Sequence, residues 1–314
     1  QNVESVSNNI FHLPDGGYGL YIEDCDNLVS SPALIANNFI SIGGTNIARG
    51  IYMIGSSYYT ILHNNFHITT THTGQSVGVP MYLTSNPSLK VYNNNFSNAG
   101  VGYGIYANNN TSFLADYNNY YVLGSQIGYW NGTARTTLSD WQSSTGQDLN
   151  AIEINPQFMS DSDLHVSNVL LNGAGLFQAL VTQDIDGESR QNPPDIGADE
   201  FDPSIANDAG VFMAVGPHAP FAHGSQPIDI AIKNFGADTL TSVNVRWVVN
   251  GIEQPLYAWT GALPSAQCDT VTIGTFNFPE YTAHDLIYWT ESPNSIPDST
   301  SVNDTIHLTN VYIR

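Results

Sequence analysis

Basic residues are nearly absent. Seven lysines and arginines face 28 aspartates and glutamates in 314 residues, a formal charge of −21. So one-sided a surface repels phosphate backbones, anionic lipid and polyuronates unless divalent ions bridge, which excludes nucleic acid as a partner. The plain reading of the charge is solubility in salty water. It is not an acidic tail: a cut after residue 202 leaves 18 acids and 4 bases before it, and 10 acids and 3 bases after it. Charge of either sign is also scarce, at 11% of residues against the usual quarter or about 25%. Asn, Ser, Thr and Gly supply the polarity instead, which suits turns and stacked β-structure rather than solvated helices. Two cysteines, Cys25 and Cys268, are too few for a disulfide scaffold and are expected as free, buried thiols. No apolar run is long enough to span a bilayer, so membrane insertion is not expected. The stretch from Gln1 to Ile10 has neither the methionine nor the apolar segment of a signal peptide.

What is present is repetition. An Asn-Asn-apolar motif recurs at Asn8-Asn9-Ile10, Asn37-Asn38-Phe39, Asn64-Asn65-Phe66, Asn94-Asn95-Phe96 and Asn118-Asn119-Tyr120, with steps of 29, 27, 30 and 24 residues. Between these lie Gly19-Leu20-Tyr21, Gly50-Ile51-Tyr52, Pro80-Met81-Tyr82 and Gly104-Ile105-Tyr106. A period in the twenties with short β-type runs means one solenoid coil per repeat. Strand alternation then points Leu20, Ile51, Met81 and Ile105 inward with Ile22, Met53, Leu83 and Ala107. The asparagines belong at the turns, where each side-chain amide can bond the next coil and the left-handed backbone is tolerated. A short insertion is expected near Ser30-Ser31-Pro32, and Asn8-Asn9-Ile10 reads as the end of a coil that begins upstream.

The same alternation puts Tyr21, Tyr52, Tyr82 and Tyr106 on the outer face of one sheet. Stacked outward aromatics offer a carbohydrate surface, unless a loop or the second module covers them. After Tyr121 the pattern changes: Ser139 is the expected N-cap of a short helix. Then follow Asn155-Pro156-Gln157-Phe158, Asp163-Leu164-His165-Val166, Asp184-Ile185-Asp186-Gly187-Glu188-Ser189-Arg190 and Pro194-Asp195-Ile196-Gly197-Ala198-Asp199-Glu200-Phe201. Arg190 is expected to pair with Asp184, Asp186 or Asp199 and hold this closing segment.

In this order the motifs resemble the C-terminal end of secreted right-handed parallel β-helix proteins of the pectate-lyase-like superfamily, as found in Bacteroidota. The resemblance covers roughly residues 8 to 202. Past residue 202, seven candidate strands with hairpin logic read as an immunoglobulin-like β-sandwich: 209–215, 228–234, 242–250, 253–259, 269–275, 285–291 and 305–312. Ile232 to Gly236, Val245 to Gly251 and Asn303-Asp304-Thr305 resemble the adhesion-type, CARDB-like sandwiches of bacterial surface proteins. The expected fold class is therefore all-β, with a right-handed parallel β-helix over 1–202 and a sandwich over 203–314.

The resemblance implies an extracellular or outer-membrane surface location, with the type IX secretion machinery as a partner. It also implies O-glycosylation at Asp-Ser/Thr sites, which here are Thr239, Thr270, Ser299 and Thr305. Catalytic residues do not emerge. The coils offer only Arg49 and Lys90 as lyase bases, at different positions of their repeats. Glu23, Asp24 and Asp26 share one turn and Asp116 stands apart, so no glycosidase pair aligns. His63, His67 and His72 bracket turns rather than converge. Calcium is the one cofactor weighed, at Asp161, Asp163, Asp184 and Asp186. The expectation is a non-catalytic module of a larger exported protein, acting in adhesion, in binding of extracellular polysaccharide or cell-surface glycans, or as a rigid spacer. The alternative is a polysaccharide lyase or glycoside hydrolase with its active site on the β-helix or in further coils upstream.

Overall fold

The computed structural model describes residues 4–202, 205–218, 220–280, 282–298 and 303–311. Two compact units are present, Gln1–Phe201 and Asp202–Arg314. No helix among the described residues is long and apolar enough to cross a membrane.

The first unit is a parallel β-helix built from three sheets. Sheet one stacks Ser5–Ser7, Ala33–Ala36, Tyr59–Leu62, Leu89–Tyr92 and Phe113–Asp116. Sheet two stacks Ile10–Leu13, Phe39–Ile42, Asn65–Ile68, Asn95–Asn98 and Asn119–Val122. Sheet three stacks Gly17–Glu23, Ala48–Ile54, Gly78–Thr84, Ile105–Asn108 and Gly128–Trp130, with Thr133–Arg135 turning back antiparallel on the last. The inward columns of sheet three are those the alternation predicts. Ile51, Met81, Ile105, Met53, Leu83 and Ala107 are fully buried, each large one worth about 1.5–3 kcal/mol of burial. Between sheets one and three, Leu28 and Ser31 bridge across the expected insertion.

Register corrects the reading of the Asn-Asn motif. Ile10 pairs with Phe39, but Phe39 pairs with Asn65, and Ile40 with Phe66. The inward column is therefore Phe11, Ile40, Phe66, Phe96 and Tyr120, and the second step is one residue shorter than the motif suggests. In the first two coils the motif pairs a left-handed residue (Asn8, Asn37) with a ladder asparagine. In the later coils the left-handed position is His63, Asn93 or Tyr117, and the motif begins on the ladder itself.

That ladder runs Asn9, Asn38, Asn64, Asn94, Asn118. Each donates from Nδ2 to the Oδ1 of the next at 2.9–3.1 Å, and each backbone N–H between Asn9 and Asn94 donates to the same oxygen. The last amide, Asn118 Nδ2, donates to Asp148 Oδ1 at 2.8 Å. Asp148 Oδ2 accepts from Tyr120 Oη and Trp141 Nε1, both at 2.8 Å. A row of donors thus ends on a group that only accepts, and burial raises this carboxyl to about 6. Trp141 lies on the helix Leu138–Thr145 and plugs the end of the core. The helix starts two residues earlier than expected: Thr137, not Ser139, is the N-cap, its hydroxyl accepting from the Asp140 amide.

The segment after the helix lies along the turns between sheets one and two rather than only over the last coil. Outer amides reach it: Asn37 donates to Gln183 O, Asn65 to Leu164 O, Asn93 to Leu176 O, Asn95 to Ile196 O and Asn119 to Ile154 O, at 2.7–2.9 Å. Phe39, turned outward by the register, is covered there by Leu164 and Ala198. Arg190 does not pair with the side chains expected for it. Its Nη1 donates to Glu200 Oε2 at 3.0 Å, and its Nη2 donates to Asn37 Oδ1 and Gly197 O. The aspartates were wrong partners because Asp184 already accepts from the amides of Asp186, Glu188 and Glu200. Both cysteines are free, and both are exposed rather than buried. Cys25 lies just past the strand Gly17–Glu23, and Cys268 is the first residue of the strand Cys268–Phe278.

The second unit is an immunoglobulin-like sandwich. One sheet orders Ala209–Gly216, Gly224–Asn234 and Cys268–Phe278. The other centres on Leu240–Val249, flanked by His284–Glu291 and then Thr305–Val311 on one side, with Ile252–Glu253 and Tyr257–Leu263 on the other. Val243, Val245 and Trp247 point into the core, and Asn250-Gly251, both at positive φ, make the hairpin turn. The expected strand over 253–259 is split. Pro255 cannot donate to a ladder, and its carbonyl instead accepts from Trp247 Nε1 at 3.0 Å.

Candidate functional site

Parallel in-register stacking places identical residues one strand spacing apart, about 4.8 Å. On sheet three it aligns Tyr21, Tyr52, Tyr82, Tyr106 and Tyr129. All four tyrosines expected there take part, and Tyr129 extends the row. Successive ring centroids are 5.0, 5.2, 4.2 and 4.4 Å apart, and the last two pairs are within 3° of parallel. Each pair adds about 0.5–1.5 kcal/mol beyond its burial. Tyr21 is exposed, and Tyr52, Tyr82, Tyr106 and Tyr129 are half-buried.

Beside the first column Tyr18 and Arg49 are in register with each other; Val79, the next residue in that register, is fully buried. Tyr18 meets Tyr21 and Tyr52 edge-on at 5.3 Å. Tyr103, just before the strand Ile105–Asn108, contacts Tyr106 and Tyr129. The Arg49 guanidinium lies 4.7 Å from the Tyr52 ring centre and 3.9 Å from that of Tyr82, while Nη2 donates to Ser76 O. Sequence reasoning weighed Arg49 only as a catalytic base and missed this stacking. Its pairing with Tyr18 depends on strand register, which the repeat spacing alone does not give. Tyr129 was within reach, 23 residues after Tyr106.

The chemistry of this face follows from its geometry. Stacked rings cover one another's flat faces, so the ladder shows solvent its ring edges and hydroxyls. Burial, and then the neighbouring Tyr82 and Tyr129 hydroxyls, hold the Tyr106 hydroxyl far above its ordinary value. The Tyr106 hydroxyl therefore stays protonated at ordinary pH, and a tyrosine hydroxyl can both donate and accept.

Three of the four acids weighed for hydrolysis have other work. Glu23 accepts from Tyr21 Oη at 2.8 Å, Asp26 accepts from the Ser57 hydroxyl, and Asp116 holds the amide and side chain of Asn150 at 2.8 Å. His63 is fully buried; burial and then Arg190 push it well down. It is a neutral ring between Gly197 O and the Asn93 amide.

The calcium candidates do not gather around one point. Asp161 meets His67 Nε2 at 3.3 Å, and Asp184 is turned to backbone amides. Asp163 and Asp186 instead flank His165, with Asp163 at Nδ1 and Asp186 Oδ2 2.7 Å from Nε2. Burial alone would lower His165, but its bonds to Asp186 and Asp163 raise it to about 9. Of the glycosylation candidates, Thr239, Thr270 and Thr305 are exposed, and Ser299 lies outside the described residues.

Residues 1–140 match the family model described as the right handed beta helix region. No curated protein matches the chain. Among solved structures the chain is similar to the CARDB domain of a Pyrococcus furiosus protein, crystallised in complex with di-metal ions. That likeness is 17% identical over 34% of this chain and 94% of that one, with a TM-score of 0.29. The solution structure of the same domain gives 17% identity over 35% and 96%, with a TM-score of 0.29.

Proposed function

We propose that this chain is a non-catalytic, secreted or cell-surface module that binds neutral glycan chains along the tyrosine ladder, with the sandwich as its neighbour in a larger exported protein. The observation that carries this reading is the unbroken outward row of five tyrosines with Arg49 fastened across it. A row of hydroxyls at strand spacing matches a ligand that itself repeats, and a polysaccharide presents hydroxyls and apolar ring edges in repetition. The charge of −21 favours a neutral polymer over a uronate. Export by a type IX pathway in a Bacteroidota cell, and O-glycosylation at the three exposed threonines, belong to the same reading and rest on the motif resemblance. The hydrolase alternative is weaker because Asp26 and Asp116 are bound into turns.

Five tyrosines span four strand spacings, about 19 Å. Affinity for oligosaccharides of one neutral polymer should therefore rise with chain length until the ligand spans that distance and then level off. A length series measured by calorimetry checks this. Affinity independent of length, or a preference for a single sugar unit, would point to a small pocket instead and contradict the ladder.

A further inference from the structure

We propose that Asp208, Asp298 and Asp304 of the sandwich form a calcium site completed by the side chain of Asn303. One carboxylate oxygen from each aspartate lies within 4.8 Å of the others, close enough for a single ion to touch all three after small side-chain shifts. Asp208 is fully buried, and Asp298 and Asp304 are half-buried. Acidic clusters are common without a ligand, so a second observation has to decide. Asn303 supplies it. This residue is only 6% exposed and is turned into the cluster, its Nδ2 donating to both Asp208 oxygens at 3.0 and 3.1 Å. The other corner of the same amide, Oδ1, is enclosed and accepts from no donor among the described residues. Asp304 Oδ1 is enclosed and unpartnered in the same way. A buried oxygen is ordinarily paired. Two unpaired acceptors beside a buried carboxylate form a set that a cation completes and that a further hydrogen-bond acceptor cannot.

The backbone holds these groups in place. Asp208 precedes the strand Ala209–Gly216 and Asp304 precedes Thr305–Val311, strands that belong to opposite sheets. The Val211 amide donates to Asp304 O at 3.4 Å, and Gly210 lies so close to Asn303 O that a Cβ there would meet it at 2.2 Å. A bound ion would therefore fasten one sheet to the other. Burial, then Asp298 and Asp208, raise the Asp304 carboxyl to about 7, the mark of like charges held together. All the donors are hard oxygens, which suits calcium, whose shell of six to eight mixes carboxylate, amide and water. Zinc prefers nitrogen or sulfur, and magnesium demands a stricter octahedron.

The test is calcium titration of the EDTA-stripped full chain by calorimetry, paired with melting curves. One equivalent should bind at or below about 1 mM calcium, more tightly than magnesium, and should raise the melting temperature. Asp304→Asn should weaken binding by roughly tenfold or more, because affinity follows ligand charge. In EDTA the same variant should melt no lower than wild type, since it removes one of three repelling charges. Should it melt lower, Asp298→Asn, at the other half-buried ligand, repeats the comparison. No saturable binding at millimolar calcium, or binding that the variants retain, overturns the site. Many weak sites retained by the variants would be a general effect of the −21 charge.

Discussion

Asp148→Leu should cost the β-helix on the order of 5 kcal/mol, because three buried donors lose their acceptor at once. Asn118 Nδ2, Tyr120 Oη and Trp141 Nε1 all point at this carboxylate at 2.8 Å, and each donor left unsatisfied costs about 1–3 kcal/mol. Chemical denaturation followed by tryptophan fluorescence reads the loss. A change below about 1 kcal/mol would mean that water or a rearranged Trp141 takes over. The same group makes stability depend on pH. Its carboxyl is raised from 3.8 to about 6 in the folded chain, with burial as the main cause. A raised acid contributes stability that is fully present below its unfolded pKa and lost as pH rises through its folded one. Two units correspond to about 3 kcal/mol. The difference in stability between wild type and Asp148→Asn should therefore shift by about that much, against the wild type, between about pH 4 and pH 7. A flat difference across that window would show that the carboxylate is compensated in both states.

Arg190→Met should be nearly as severe, at about 3–5 kcal/mol. The Arg190 and Glu200 side chains are 1% and 4% exposed and meet at 3.0 Å. Without the guanidinium, Glu200 faces Asp195, which is 2% exposed and which burial and Glu200 already push well up. Asn37 Oδ1 and Gly197 O also lose a donor. Because the cost is mostly an unpaired buried charge, Arg190→Met combined with Glu200→Gln should recover part of it. A double variant as unstable as the sum of its parts would mean that the lost contacts to Asn37 and Gly197 dominate.

The fold was legible because a solenoid writes its geometry as a period. Apolar-Tyr and Asn-Asn pairs a coil apart determine which residues face inward, and the buried column of Ile51, Met81 and Ile105 follows from that alone. Register was legible only to within one residue. Asn-Asn-Phe at 37–39 and at 64–66 look alike, yet Phe39 is outside and Phe66 inside, because a left-handed His63 replaces the first asparagine of the turn. The outer tyrosine face was readable for the same reason as the core, since alternation is strict. Its meaning was less so: stacking covers the flat ring faces, and what remains is a row of hydroxyls. The closing segment was readable as a series of motifs but not as a set of partners. Arg190 finds Glu200 and Asn37, 153 residues away, and His165 finds Asp186 and Asp199, through irregular backbone that carries no periodic signal.

The central claim is that the tyrosine ladder binds glycan, and one comparison tests it most directly. Wild-type chain and a Tyr52→Ala/Tyr82→Ala variant are applied to the same array of neutral polysaccharides, with and without calcium, after their melting temperatures are matched. These two residues carry the Arg49 contact and the middle of the row, so the variant breaks the ladder without opening the core. Binding by the wild type, lost in the variant and unaffected by calcium, is the predicted result. Equal binding by both forms, or none by either, would contradict it and leave the ladder as a structural spine of the sheet.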